Sequence, residues 1–339
     1  MLAVLLAGAG RAADAAESKC RMLQIGELPI TLEGGQITVA AEINGEQTRM
    51  VVDTGSVATI LFRPSALRLG LTPHSMLGVK SYGVGGEDRA EEARVNTLQV
   101  GNLVAKNVDL LVTGGLSSKD VQGLLGAGFL LQSDVEFDVP EGKLRFFKPM
   151  NCVGDQVVYW GAAYAVRPII NLNSMQIEVM AMLNGVTMRA VMDSGASTSV
   201  VSFAGAAKAG VTPATQGVAT SGSLVGIGPK AVASDVAVFS TFTFGDETIR
   251  NVHLRLADLF YAAKTIETGS NVPSPAIDEA QMTLGADFFG SHRVYVSRGQ
   301  SKVYVSYMGG PVFATKAPPA SATPPVTPAT ASPAPAAKP

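Results

Sequence analysis

The sequence predicts a mainly β protein made of two lobes related by internal duplication. Composition is the first sign: glycine is abundant (36 residues) and tryptophan occurs once. Valine, threonine and alanine recur between glycine or asparagine punctuation, a pattern of strands and turns rather than long helices. The second sign is a repeat, with residues 37–55, ITVAAEINGEQTRMVVDTG, answered by residues 177–195, IEVMAMLNGVTMRAVMDSG. The third is a later pair of matching blocks, Gly123 to Phe129 and Met282 to Phe288, that closes each half. A chain of 339 residues, 47% of them hydrophobic, can bury one large core or two medium ones.

Residues 1–15, MLAVLLAGAGRAADA, are an apolar run followed by small residues, and Ala13-Asp14-Ala15 fits a small-x-small cleavage site. They read as a signal peptide, so the protein is expected to be exported, periplasmic or secreted. The alternative is an apolar tail, because a basic n-region is missing. No other stretch is apolar for long enough to cross a bilayer, so no integral membrane segment is expected after cleavage. The two cysteines, Cys20 and Cys152, would survive cleavage, and an oxidising compartment would permit them to pair and tie the N-terminal arm to the junction between halves. At the other end, 311–339 is almost entirely Ala, Pro, Thr and Ser and reads as a disordered, polyproline-like tail.

Between these ends each repeat reads as a hairpin: a β-rich run, an Asn-Gly pair suited to a type I′ turn, a second run, then Asp-Thr-Gly or Asp-Ser-Gly. Asn44 precedes Asp53, and Asn184 precedes Asp193, by nine positions. Leu69-Gly70-Leu71-Thr72-Pro73 and Ala209-Gly210-Val211-Thr212-Pro213 keep the same offset of 140 as the aspartates, and a short helix is expected before each of these glycines. The closing blocks are offset by 159, which puts about nineteen extra residues in the second half, around Tyr261 to Glu279. A strand pair with a polar turn follows each block. The resulting division is a lobe at 28–150, a linker at 151–164 and a lobe at 165–308.

Charge narrows the function classes. Lysine plus arginine (26) nearly balances aspartate plus glutamate (28), with no dense basic stripe to track a phosphate backbone, so nucleic acid is not an expected partner. His74, His253 and His292 share no ligand-like spacing and the two thiols lack clustered histidines, so no metal and no cofactor is expected. No Gly-x-Ser-x-Gly elbow or His-Glu-x-x-His segment supports a serine or metal-dependent hydrolase.

A lone Asp-Thr-Gly is weak evidence, since these are ordinary turn residues. Here each triplet follows an apolar strand end, Met50-Val51-Val52 or Ala190-Val191-Met192, and precedes another β-rich run. A carboxylate on a tight turn emerging from apolar strands is costly if unpaired, so two of them in equivalent halves are expected to face each other across a pseudo-two-fold axis.

With these motifs in place, the sequence resembles the aspartic peptidases over essentially all of its ordered length. Asp53-Thr54-Gly55-Ser56 and Asp193-Ser194-Gly195-Ala196 look like their two active-site loops. Leu124-Leu125-Gly126 and Thr283-Leu284-Gly285 look like the hydrophobic-hydrophobic-Gly segments behind them. The short lobes are more similar to retropepsin subunits than to pepsin lobes, which implies a bilobal pepsin/retropepsin-like double β-barrel, the acid protease fold, in one fused chain. The resemblance implies that Asp53 and Asp193 activate a water together, that Thr54 and Ser194 hydrogen-bond across the lobe interface, and that Gly55 and Gly195 permit close backbone approach. Ser81-Tyr82-Gly83-Val84-Gly85-Gly86 resembles a flap carried by Tyr82, Gly83 and Gly85, with an ordinary Gly-rich surface hairpin as the alternative. Residues 221–228 occupy the corresponding place without a tyrosine, so unequal closure by the two lobes is expected. The implied function is a monomeric aspartic endopeptidase acting on a peptide or protein substrate. The other reading is an inactive peptide-binding or envelope scaffold of the same fold.

Overall fold

The computed structural model describes residues 20–115, 120–152, 154, 156–161, 164–170, 175–259 and 280–313. Strand alternation builds the first lobe. β1 (Arg21–Glu33) buries Leu28 and Ile30, β2 (Gln36–Ile43) buries Ile37, Val39, Ala41 and Ile43, and β3 (Glu46–Asp53) buries Met50 and Val52. The hairpin between β2 and β3 turns at Asn44 and Gly45, whose φ values of 52° and 88° are those of a type I′ turn. After β4 (Ile60–Phe62) comes α1 (Arg63–Arg68), the short helix expected before Gly70, started by a proline in its first turn. The lobe continues through β5 (His74–Gly83), β6 (Gly86–Val100), β7 (Leu103–Thr113), β8 (Gly123–Gly126) and α2 (Ala127–Leu130). β8 lies between β3 and β4, parallel to the first and antiparallel to the second, and β2 also pairs with β6, so the sheet closes into a barrel.

The chain then leaves the barrel through the hairpin of β9 (Asp134–Asp138) and β10 (Lys143–Met150), and β11 (Ala165–Pro168) opens the second half. The second barrel repeats the first: β12 (Ile177–Leu183), β13 (Val186–Met192), β14 (Val200–Val201), α3 (Phe203–Lys208), β15 (Ala219–Leu224), β16 (Val232–Phe244), β17 (Glu247–Leu256), β18 (Met282–Leu284) and α4 (Ala286–Phe289). β18 lies between β13 and β14, and β12 pairs with β16. The hairpin of β19 (His292–Ser297) and β20 (Lys302–Tyr307) closes the half.

The closing hairpins are not confined to their own lobes, as the division at 28–150 and 165–308 supposes. They merge edge to edge in the order β11-β20-β19-β9-β10-β1, six strands drawn from both halves. The reason is pairing: β9 and β19 each have an open edge, and joining them satisfies the backbone groups of both. β1 belongs to this shared sheet and to the first barrel, so the fold starts at Arg21. Across the β9–β19 seam, Arg293 pairs with Asp138, while Arg145 bonds Asp138 at 2.9 Å and Glu27 at 2.8 Å. Residues of the expected linker cover this network. Val157 and Val158 are buried, the Tyr159 hydroxyl donates to Glu136 at 3.0 Å, and Trp160 donates to Ser306 at 2.8 Å with Arg293 over its ring.

Cys20 and Cys152 are joined in a disulfide, which fastens the start of β1 to the end of β10. The expected tail boundary at 311 moves outward: Phe313 is buried, its ring 4.9 Å from that of Phe242, and Ser291 donates to the Pro311 carbonyl at 2.6 Å. An aromatic ring gains more by entering the second core than the chain loses by ordering three further residues. Residues 1–15, expected to be a signal peptide, the insertion expected around Tyr261 to Glu279 and residues 314–339 lie outside the described residues. No helix among the described residues is long and apolar enough to cross a membrane.

Candidate active site

β3 and β13 each end at an aspartate loop. Asp53 Oδ1 accepts the amides of Gly55 and Ser56, both at 2.9 Å, and Asp193 Oδ1 accepts those of Gly195 at 2.9 Å and Ala196 at 3.2 Å. Each turn therefore orients its own carboxylate, leaving the second oxygens for a shared ligand. The two carboxyls come within hydrogen-bonding reach of each other across the pseudo-dyad. A Cβ on Gly55 would fall 2.4 Å from the Asp193 carboxyl carbon, and one on Gly195 would fall 2.3 Å from that of Asp53, so any other residue at either position would displace the opposite carboxyl.

Behind the carboxyls, Thr54 and Ser194 lock the loops together as the resemblance implies. The Thr54 hydroxyl donates to the Met192 carbonyl at 2.8 Å and accepts the Ser194 amide at 3.0 Å. The Ser194 hydroxyl donates to the Val52 carbonyl at 2.7 Å and accepts the Thr54 amide at 3.1 Å. Both side chains are fully buried, so each hydroxyl pairs backbone groups that no water reaches.

Electrostatics follow from burial and proximity. Desolvation, followed by the charge of Asp193, holds the Asp53 carboxyl well above the ordinary carboxylate range, against the pull of the Ser56 and Gly55 amides. Burial also raises Asp193, opposed by its bond to Asp53 and by neighbouring amides. Two like groups in one dry site retain one proton between them, and that proton belongs to the pair. Such a pair can deprotonate a water with one member and polarise a carbonyl with the other. The aspartic dyad is a worked example of this principle.

The glycine-rich hairpin of β5 and β6 does not end in open solvent. The Gly85 amide donates to the Ile227 carbonyl at 2.8 Å, and the Lys230 amide donates to the Gly85 carbonyl at 3.1 Å. The tip thus meets the tip of the β15–β16 hairpin, with Gly83 against Ile227 and Gly226 against Val84. Tyr82 stands at the tip, 49% exposed. Both hairpins thus supply a tip, although the second has no counterpart of Tyr82. The signal was in the sequence, since Gly83-Val84-Gly85 and Gly226-Ile227-Gly228 match at an offset of 143.

One supporting pair was not singled out from sequence. Asp287, at the position of Gly128 in the first lobe, accepts the Ser199 amide at 2.8 Å and its hydroxyl at 2.7 Å, while that hydroxyl accepts the Gly285 amide at 2.9 Å. The Asp193 loop therefore has a buried carboxylate brace that the Asp53 loop lacks, and burial pushes the Asp287 carboxyl up. Asp287 was visible only as the one charged residue in the two corresponding blocks. Among the described residues no group of three or more His, Cys, Asp or Glu could hold a metal ion.

A family model described as aspartyl protease matches residues 39–129 and 179–288, one stretch in each barrel. The fold is similar to the crystal structure of an aspartic proteinase from Irpex lacteus, with a TM-score of 0.52 and 13% identity over 83% of this chain and 97% of that one. No curated protein sequence matches the chain.

Proposed function

The chain belongs to the aspartyl protease family, and on that premise we propose that it is an aspartic endopeptidase in which Asp53 and Asp193 jointly activate a hydrolytic water. The observation that carries this reading is the pair of carboxyls facing each other, each fixed by its own loop amides and both raised by burial. One carboxylate takes the water proton while the protonated partner hydrogen-bonds the scissile carbonyl, and the proton then passes to the leaving amine. Thr54, Gly55, Ser194 and Gly195 act as positioning residues through the loops they lock. The paired hairpin tips, including Tyr82, Gly83 and Gly85, would close over an extended peptide and exclude bulk water. The Cys20–Cys152 disulfide supports the proposal that the protein works in an oxidising compartment, after export.

The test is cleavage of a peptide library from acidic to neutral pH, with and without a transition-state-mimicking inhibitor of aspartic peptidases. Cleavage that the inhibitor abolishes is the expected result. Peptides that bind without being cleaved at any pH would favour the scaffold reading.

A further inference from the structure

The two hairpins that meet at their tips are held down by different chemistry. In the first lobe Asp88, two residues past Gly86 at the tip, ties β6 to the end of β7. Its Oδ2 accepts the Gly114 amide at 2.8 Å and the buried Thr113 hydroxyl at 3.3 Å, and its Oδ1 accepts the Arg89 amide at 2.9 Å. The Arg63 guanidinium, from the first residue of α1, stands 3.6 Å away. Arg63 also pairs with Glu91 and donates to the Arg89 carbonyl at 3.2 Å. Every group that faces Asp88 is a donor, so both of its oxygens have to accept, and only the ionised carboxylate does so; a protonated one would turn an O–H toward donors. The residue it holds is also the one the opposite tip rests on, since a Cβ on Gly114 would lie 2.9 Å from the Ile227 Cδ1.

The second lobe has no such carboxylate. Ile60 and Val200 pair in parallel with Leu111 and Arg255, which in turn oppose Glu92 and Val236, so the stretch answering Asp88 is Ala231-Val232 and Ala257 answers Thr113. Asp258, at the position of Gly114, turns instead to the Phe203 amide at 3.4 Å. The second hairpin is pinned by Arg255, which donates to the Ser221 carbonyl at 2.7 Å and the Ser234 hydroxyl at 2.8 Å. Those acceptors carry no charge that acid could remove.

We propose that Asp88 positions the first hairpin as an acid-released latch: its carboxylate holds β6 against Gly114, Thr113 and Arg63, and protonation frees this hairpin while the second stays pinned. The effect on cleavage rests on the peptidase reading, in which the tips have to part for a peptide to enter. Burial would push the Asp88 carboxyl up, but the Gly114 and Arg89 amides and then the Arg63 charge outweigh it and hold it below its ordinary 3.8. A carboxyl lowered in this way gives a latch that is fully present above 3.8 and is lost as pH falls through the folded value. The other charged groups nearby are Arg89 and Glu91, 3.6 Å apart on the same strand, and Lys80 and Glu87, which pair with each other at 2.6 Å on the exposed side of the hairpin.

The test is hydrogen exchange of the full chain, followed by mass spectrometry at about pH 6 and about pH 2 and corrected for the intrinsic pH dependence of exchange. Residues 81–90 are compared with 219–225 of the second hairpin, and 135–147 serve as a control for general loosening. Protection of 81–90 is expected to fall by roughly 10-fold or more in acid, the range for losing a hydrogen bond to a charged group, while 219–225 changes by less than about 3-fold. Asp88→Asn keeps the shape and removes the charge, so 81–90 should already be loose at the higher pH. With a peptide that wild type cuts, this variant should exceed wild type in kcat/KM at the higher pH and match it at the lower, whereas damage to the fold would lower both. Equal protection of 81–90 in wild type at both pH values, equal loosening of both hairpins, or an Asp88→Asn hairpin as tight as wild type overturns the latch. The wild-type exchange decides this alone if the variant does not fold. Cleavage alongside a hairpin indifferent to pH overturns the latch and leaves the peptidase reading standing. An acid-released hairpin in a chain that cuts no peptide supports the latch and overturns the peptidase reading.

Discussion

Replacing Thr54 by valine keeps the shape of a fully buried side chain and deletes one oxygen. That oxygen makes two bonds across the lobe interface, to the Met192 carbonyl at 2.8 Å and from the Ser194 amide at 3.0 Å. Both partners are then stranded where water does not reach. At about 1–3 kcal/mol for each buried group left unpaired, the cost is about 2–6 kcal/mol, a large share of the ~5–15 kcal/mol that usually separates folded from unfolded. At a denaturant slope of roughly 3 kcal/mol/M this lowers the urea midpoint by about 1–2 M. Urea unfolding followed by circular dichroism measures it, beside peptide cleavage, which should also fall because the two aspartate loops lose their common register. Thr54→Ser retains the oxygen and should stay near wild type in both. Ser194→Ala should resemble Thr54→Val, and the double variant should cost less than the sum, since both hydroxyls clamp the same two turns. A midpoint shift below about 0.3 M with full activity in Thr54→Val would refute the view that these hydroxyls hold the loops together.

Asp53→Asn and Asp193→Asn should each abolish cleavage, with the double variant little worse, because the pair acts as one unit; wild-type rates from Asp53→Asn would refute the two-carboxylate mechanism. Stability should move the other way. A carboxyl raised in the folded state contributes stability that is present below its ordinary value of 3.8 and is lost as pH rises through the folded value. Asp53→Asn should therefore melt higher than wild type at neutral pH, with the gap closing on acidification; equal melting temperatures at pH 7 would contradict a buried, mutually repelling pair. Cys20→Ser with Cys152→Ser opens a link spanning 132 residues and should cost about 3–5 kcal/mol by chain entropy, read from urea unfolding without reductant. Truncation after Phe313 should leave the melting temperature unchanged, whereas Phe313→Ala should cost about 3 kcal/mol because the ring fills the second core.

The duplication, the β class and the identity of the two aspartates were legible in the sequence because each is written locally. Strand alternation, Asn-Gly turns and Asp-Thr/Ser-Gly triplets recur at fixed offsets, and Asn44 and Asn184 adopt the backbone their turns require. The two short helices before Gly70 and Gly210 were legible for the same reason. Other features depend on which edges meet in space, and a linear pattern does not encode that. The merging of β9 with β19 makes one sheet from two hairpins that sequence spacing assigned to separate lobes. Burial of Phe313 depends on the open side of the Phe242–Phe288 cluster, which lies far away along the chain. The contact between the hairpin tips and the packing of Ile227 against Val51, Phe62 and Val121 likewise exist only once the two barrels are brought together. What the sequence determined by itself was therefore the pair of catalytic candidates and the strands that present them, because backbone propensity and turn chemistry act over a few residues. The tertiary structure decided how the two halves join through β9 and β19 and that the two hairpin tips meet, because those depend on packing between segments more than a hundred residues apart.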